Sequence, residues 1–191
     1  MSVTLQQARA VLESADLIYD ASQINQALDL LAEKINMAVT QLDTGDQPML
    51  VICIMNGGLI LSGQLLPRLN FPLHVDFIHA TRYRNQTSGG ELEWKVEPHQ
   101  SIQGRSLLIL DDILDEGYTL DGVVGYCQDQ GAAHVISAVM VEKKHGRRKP
   151  GVGCEFIGLV VEDRYVFGFG MDYKGYHRNL NGIYAVAEEA Q

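Results

Sequence analysis

Three carboxylates crowd the end of one apolar run: Asp111, Asp112 and Asp115 follow Leu107 to Leu110, and Gly117 and Thr119 come next. A short apolar run bounded by polar residues predicts a strand buried on both faces, as in a parallel sheet, ending at Leu110. Ligands of open α/β sheets bind just beyond the carboxyl ends of such strands. Acids this close repel one another, so at least one holds its proton more tightly unless a cation intervenes. Residues 115–119 lead into a helix expected over 119–130, whose first amides can cradle a phosphate. Gly117 lets the backbone approach closely, and the Thr119 hydroxyl adds a hydrogen bond. The pattern predicts a site for a cation, or for a metal that carries a phosphorylated ligand. Three capping aspartates could supply the same residue types; the order strand, acid pair, third acid, glycine, threonine argues against them.

The elements that must position this cluster follow from hydrophobic spacing. Helices are expected over 4–17 and 22–42, and a turn over 43–48. A buried strand over 49–55 then passes through Asn56-Gly57-Gly58 into a helix over 59–69. Strands are further expected over 73–80, 135–141 and 156–161. The polar stretch 82–105 predicts a lid loop or a weak hairpin turning at Ser88-Gly89-Gly90, and both can hold at once. Strands alternating with helices predict an α/β domain with a mainly parallel sheet, capped at one end by the terminal segments. Lys143 falls at a strand end, where ligands gather. Arg147, Arg148 and Lys149 read as a solvated turn, and His79, His134 and His145 lack metal spacing and receive no role.

Composition narrows the classes. The 191 residues suit one domain, and the net charge of −9 argues against nucleic acid and acidic membrane surfaces as partners. Cys53, Cys127 and Cys154 are odd in number and widely spaced, which favours small buried residues in a reducing cytoplasm over disulfides or a zinc knuckle. A signal peptide is not apparent, and the longest apolar run is far shorter than a membrane span, so the expected location is cytoplasmic. The glycine-rich nucleotide loops, the H-E-x-x-H zinc motif and the G-x-S-x-G elbow are all missing.

Ser106 to Leu120 resembles the phosphoribosyl-diphosphate (PRPP) signature of the type I phosphoribosyltransferases: an apolar strand, two acids, two apolar residues, then Asp-Thr-Gly-x-Thr. Further segments are similar to hypoxanthine-guanine phosphoribosyltransferase: Val141 to Lys144, Phe156 to Gly158, Asp163 to Gly168, Met171 to Tyr173, and Tyr176 to Asn181. Met55 to Gly58 and Arg82-Tyr83 match in position, so the resemblance spans roughly 49–184. It implies a single domain over 1–191 with a type I phosphoribosyltransferase-like fold. The core would run over about 45–165, with a hood from the N-terminal helices and about 160–191, and a flexible lid over about 82–105. It implies transfer of the 5-phosphoribosyl group from PRPP to a 6-oxopurine, hypoxanthine or guanine, with Mg2+ as cofactor, in a homodimer or homotetramer.

The resemblance also implies roles. Asp111 and Asp112 hold the ribose hydroxyls directly or through magnesium, and Asp115 is the general base or acid at purine N7. Glu116, Gly117, Tyr118 and Thr119 wrap the 5′-phosphate. Lys143 donates to the 6-oxo group, Tyr165 stacks on the base, and the Val166 backbone pairs with its edge. Asp172 helps bind a second magnesium, Arg178 with Asn56 and Gly57 meets the diphosphate, and Arg82-Tyr83 opens the lid. Two positions depart from the family. Glu116 replaces the usual threonine and adds a negative charge beside the phosphate loop; Asn56 replaces a common lysine and removes a cation. A cis peptide is common at that turn and has no signature in the sequence. The alternatives are a regulatory nucleotide sensor on the same fold and a magnesium-dependent phospho-receiver domain. Asp115, Lys143 and Tyr165 favour the enzyme over the first, and the late position of the acid pair disfavours the second.

Overall fold

The computed structural model describes residues 3–42, 44–82 and 92–187, without the side chains of residues 81 and 82. Thr4 caps helix α1 (Leu5–Ser14) through a reciprocal pair with Gln7, and Asp20 caps α2 (Ala21–Val39) through the same pair with Gln23. An N-cap residue needs extended backbone, so the chain cannot remain helical up to Asp20. It uses the extension as strand β1 (Asp16–Tyr19). The helix expected over 4–17 therefore stops at Ser14.

The central sheet contains β2 (Met49–Ile54), β3 (Leu73–Arg82), β4 (Leu92–Val96), β5 (Ser106–Leu114), β6 (His134–Lys143) and β7 (Phe156–Val161). Their order is β4-β3-β2-β5-β6-β7, parallel except for the antiparallel pair β3 and β4. Period-two alternation sends Val51, Leu108 and Leu110 to one face, where they pack with Leu28, Leu31 and Ile35 of α2 and Leu61 of α3 (Gly58–Leu65). Leu50, Ile52, Leu107 and Ile109 meet the other face, with Val123 and Cys127 of α4 (Tyr118–Asp129). Both faces are covered, as the apolar run of β5 requires.

Strand β5 does not end at Leu110. Its parallel pairing with β6 continues through Asp111 opposite Val139 and Leu114 opposite Glu142. The two carboxylates thus sit inside the sheet, both buried. Backbone pairing outweighed the usual reading of adjacent charges as a strand end.

The hairpin reading of 82–105 describes β4, whose Trp94 ring centroid lies 4.7 Å from that of Tyr126 on α4. Tyr83 and the proposed turn at Ser88-Gly89-Gly90 lie outside the described residues. A second, antiparallel sheet of order β1-β9-β8 joins β1 to β8 (Val166–Phe167) and β9 (Ile183–Ala185). The Tyr19 hydroxyl donates to the Val160 carbonyl at 2.7 Å, and Arg164 binds Asp16, tying this sheet to the edge of the larger one. Among the described residues, no helix is long and apolar enough to cross a membrane. The three cysteines are unpaired, and burial raises the pKa of Cys127 to about 11.

Asp76 in β3 anchors the loop before β5. Its carboxylate accepts the amides of Phe77, His99 and Gln100 at 2.7–2.8 Å. Burial works to raise its pKa, but those amides and the His99 ring outweigh it and the net shift is downward. A depressed carboxyl contributes stability that is present above its unfolded pKa of about 3.9 and is lost as pH falls through the folded value. Asp76→Ala is expected to cost roughly 1.5–3 kcal/mol in urea unfolding at pH 7, the worth of hydrogen bonds to a charged group. The difference from the parent protein should shrink below about pH 4. Equal destabilisation at pH 7 and pH 3 contradicts this account.

Candidate active site

Five connections converge at the carboxyl end of the sheet. They surround a cavity of about 440 Å³ lined by Gly57, Asp111, Asp112, Asp115, Glu116, Gly117, Thr119, Lys143, Tyr165, Val166, Met171, Asp172 and Arg178, with apolar Ile54, Ile113 and Leu120. Most of the expected residues therefore meet in one place. Tyr118 and Asn56 do not line the cavity and are exposed. The backbone of Arg82 ends β3, and Tyr83 is outside the described residues.

One wall is acidic. The Asp111 carboxylate accepts the Asp112 amide at 2.9 Å, and Arg178 Nη1 lies 3.8 Å from Asp112 Oδ2. Burial, and then the charge of Asp112, push the Asp111 carboxyl well above the usual carboxylate range. Burial raises Asp112 as well, with hydrogen bonding from Asp111 and the Arg178 charge pulling it back. Arg178 is fixed by Gly170 O at 2.6 Å and by Asp172 Oδ1 at 2.5 Å, while Asp172 Oδ2 accepts the Gly175 amide at 2.6 Å. Next to this wall, in the turn that carries Gly57, the Met55-Asn56 peptide is cis. Gly57 must be glycine here, because a Cβ would stand 2.2 Å from Asp112 Oδ2.

The floor is the start of α4. Gly117 adopts φ +86°, and a Cβ there would come within 2.8 Å of Val152. No side chain caps the helix at Gly117, and the first amides of an α-helix lack intrahelical partners. These donors at the positive end of the helix can receive a phosphate. Glu116 lines this part of the cavity, and its carbonyl accepts the Lys149 amide at 2.9 Å.

Asp115 and Lys143, the last residue of β6, line another part of the cavity. Lys143 Nζ donates to Asp115 Oδ2 at 2.9 Å, and His145 Nε2 lies 2.6 Å from Oδ1. Burial works to raise the Asp115 pKa, but the hydrogen bond and charge of Lys143, with the hydrogen bond of His145, outweigh it, and the carboxyl falls below its ordinary value. The exposed Tyr165 ring stands edge-on to Tyr173 at 5.5 Å and lines the cavity. The Val186 amide donates to the Tyr165 carbonyl at 2.9 Å, so β9 helps hold this loop over the cavity.

Metal spacing alone left His145 without a role; its position two residues beyond a strand-end lysine was the signal available. The turn after it is also more ordered than a solvated run. Arg147 makes a two-pronged pair with Asp163 at 2.6 and 2.7 Å, Arg148 pairs with Glu142, and Lys149 pairs with Asp121. A cavity lined by acids, helix amides and a Lys–Asp pair can hold a phosphorylated polyhydroxyl ligand beside a planar base.

Residues 14–174 match the family model described as phosphoribosyl transferase domain. The chain is 33% identical over 132 residues to the hypoxanthine-guanine phosphoribosyltransferase of Bacillus subtilis, covering 69% of this chain and 73% of that protein. It is 30% identical over 135 residues to the hypoxanthine-guanine-xanthine phosphoribosyltransferase of Tritrichomonas foetus, covering 71% and 74%. A ternary substrates complex of a hypoxanthine phosphoribosyltransferase variant from Trypanosoma cruzi superposes with TM-score 0.84 at 24% identity, covering 93% of this chain and 98% of that one. The hypoxanthine phosphoribosyltransferase of Staphylococcus aureus gives 0.83 at 22%, covering 95% and 96%. At those identities the two structures speak for the fold.

Proposed function

The chain belongs to the phosphoribosyltransferase family, and from that premise we propose a purine salvage enzyme that moves the 5-phosphoribosyl group of PRPP to a 6-oxopurine. The products are a nucleoside 5′-monophosphate and diphosphate. The observation that carries the reading is the one cavity lined together by the Lys143–Asp115 pair, the acid pair Asp111 and Asp112, and the first residues of α4.

In this account N9 of the base attacks C1 of the ribose, and the C1–O bond to diphosphate breaks. Positive charge builds on the sugar and negative charge on the leaving group. Arg178 lies where it can meet the second. The 5′-phosphate rests on the first amides of α4, with Gly117 giving close approach and Thr119 a hydroxyl. The ribose hydroxyls face Asp111 and Asp112. Lys143 has only donors to offer, so it accepts a 6-oxo group and rejects a 6-amino group. Asp115 receives the N7 proton as the base becomes the product. The ring of Tyr165 stacks on the base, and the backbone of Val166 pairs with its edge.

Magnesium suits this donor set. Two buried carboxylates held above their ordinary pKa form a place where a divalent cation relieves repulsion. Magnesium commonly keeps several waters and takes one or two carboxylates plus substrate oxygens. Asp111 and Asp112 would hold it, and Asp172 has lone pairs left beyond Arg178 and Gly175. A bound ion would supply charge neutralisation for the leaving diphosphate. The enzyme works in the cytoplasm as a homodimer or homotetramer. The regulatory alternative is not favoured, since Asp115, Lys143, Tyr165 and Val166 all line the one cavity.

The selectivity rule is testable with hypoxanthine, guanine, xanthine and adenine in parallel, each with PRPP and Mg2+. At least one 6-oxopurine is expected to exceed adenine by about 100-fold or more in kcat/KM, the scale set by an unpaired buried donor. Comparable rates with adenine would remove Lys143 from its assigned role.

A further inference from the structure

We infer that His145 is a positioning residue for Asp115: as a neutral imidazole it holds Oδ1 through Nε2–H, so the carboxylate stays aimed when Lys143 turns to the base. The inference rests on the transferase reading above.

The tautomer follows from the surroundings. The Arg147 amide donates to His145 Nδ1 at 3.0 Å. A backbone N–H can only donate, so Nδ1 is the acceptor and the ring proton sits on Nε2. Nε2 then donates to Asp115 Oδ1 across 2.6 Å. A charged ring would carry a proton on Nδ1 and lose the Arg147 bond. In this arrangement His145 acts as the donor to Asp115 Oδ1.

The two oxygens of Asp115 have different partners. Oδ2 is held by Lys143, whose ammonium also faces the 6-oxo position and sits on a flexible stem. Oδ1 is held by a ring whose side chain is only 2% exposed, against 40% for Asp115. When a base engages Lys143, Oδ2 is released toward N7 while Oδ1 stays in place. Without His145, a half-exposed carboxylate loses its Oδ1 anchor and can swing once Lys143 turns to the base. Arg147 adds a link: its guanidinium grips Asp163 with two bonds, just ahead of Tyr165 and Val166. The backbone amide that orients the imidazole is thus anchored to the loop that would receive the base.

The test compares the parent protein with H145A and H145Q, whose amide can still donate. In steady-state kinetics H145A is expected to lower kcat about 10- to 100-fold, the scale of a sub-ångström to ångström misplacement. KM for PRPP should stay within about twofold, and H145Q should recover most of the loss. A kcat for H145A close to the parent value, or equal losses in H145A and H145Q, overturns the inference. Nitrogen-15 NMR of the ligand-free parent protein provides a readout independent of turnover. An Nε2–H tautomer for His145 supports the inference; an Nδ1–H or doubly protonated ring overturns it. A parent protein inactive with every 6-oxopurine defeats the transferase reading instead, and the NMR result still stands by itself.

Discussion

Asp115→Asn is expected to lower kcat by about 10²–10⁴-fold, the usual contribution of a positioned general acid or base, while PRPP binding survives. Asparagine has the same shape and keeps an oxygen for the His145 donor, but it takes no proton from N7. The Asp115 carboxyl lies below its ordinary pKa because of Lys143 and His145, and so it begins ionised across the neutral range. A carboxylate held below its ordinary value is a weaker base until Lys143 shifts to the purine. Base binding and base strength are then coupled through Lys143. Losing the charge leaves Lys143 uncompensated, which does not oppose an anionic substrate, so PRPP affinity measured by calorimetry should hold. Undiminished turnover would take Asp115 out of the mechanism.

Asp111→Asn is expected to trade activity for stability. Burial and the neighbouring Asp112 charge hold the Asp111 carboxyl far above its ordinary pKa. For a raised carboxyl the favourable contribution is present below the unfolded pKa and is lost as pH rises through the folded value, so at pH 8 the ionised pair costs stability. Asparagine removes that charge, and its side-chain oxygen can still accept the Asp112 amide. In chelator at pH 8 the variant should melt higher, by roughly 2–4 °C for each kcal/mol recovered. The gap should close as pH falls toward the ordinary carboxylate range, where the parent pair takes up its proton. Magnesium should raise the melting point of the parent more than that of the variant. Turnover should fall about 10- to 100-fold, the equivalent of one lost hydrogen bond to a charged group. A variant that melts below the parent in chelator at pH 8 contradicts the electrostatic account of the acid pair.

Much of the molecule was legible where hydrophobic period and breakers agree. The strand over 156–161 matches β7 residue for residue, and β2 differs from expectation by its last residue. The acid cluster, Gly57 and the strand-end Lys143 line one cavity; spacing pointed to the first, and the family resemblance to Gly57. The failures have physical reasons. Asp111 and Asp112 looked like a terminus because buried acids are costly, yet β6 pairs through them, a local conflict of the kind that marks a functional site. Strand β1 was hidden inside a helical pattern and is claimed by pairing with Ile183–Ala185, far away in sequence. Strands of two or three residues such as β8 and β9 carry no period to detect. His145 was sought as a metal ligand, whereas its significance lies in a contact with Asp115 that only the fold brings about.

The most direct test of the central claim is nucleotide formation by the purified protein with PRPP, Mg2+ and hypoxanthine or guanine, following the 5′-monophosphate and diphosphate together. The account predicts the two products in equal amounts, dependent on Mg2+ and nearly abolished by Asp115→Asn. No nucleotide from either base at saturating PRPP would contradict it.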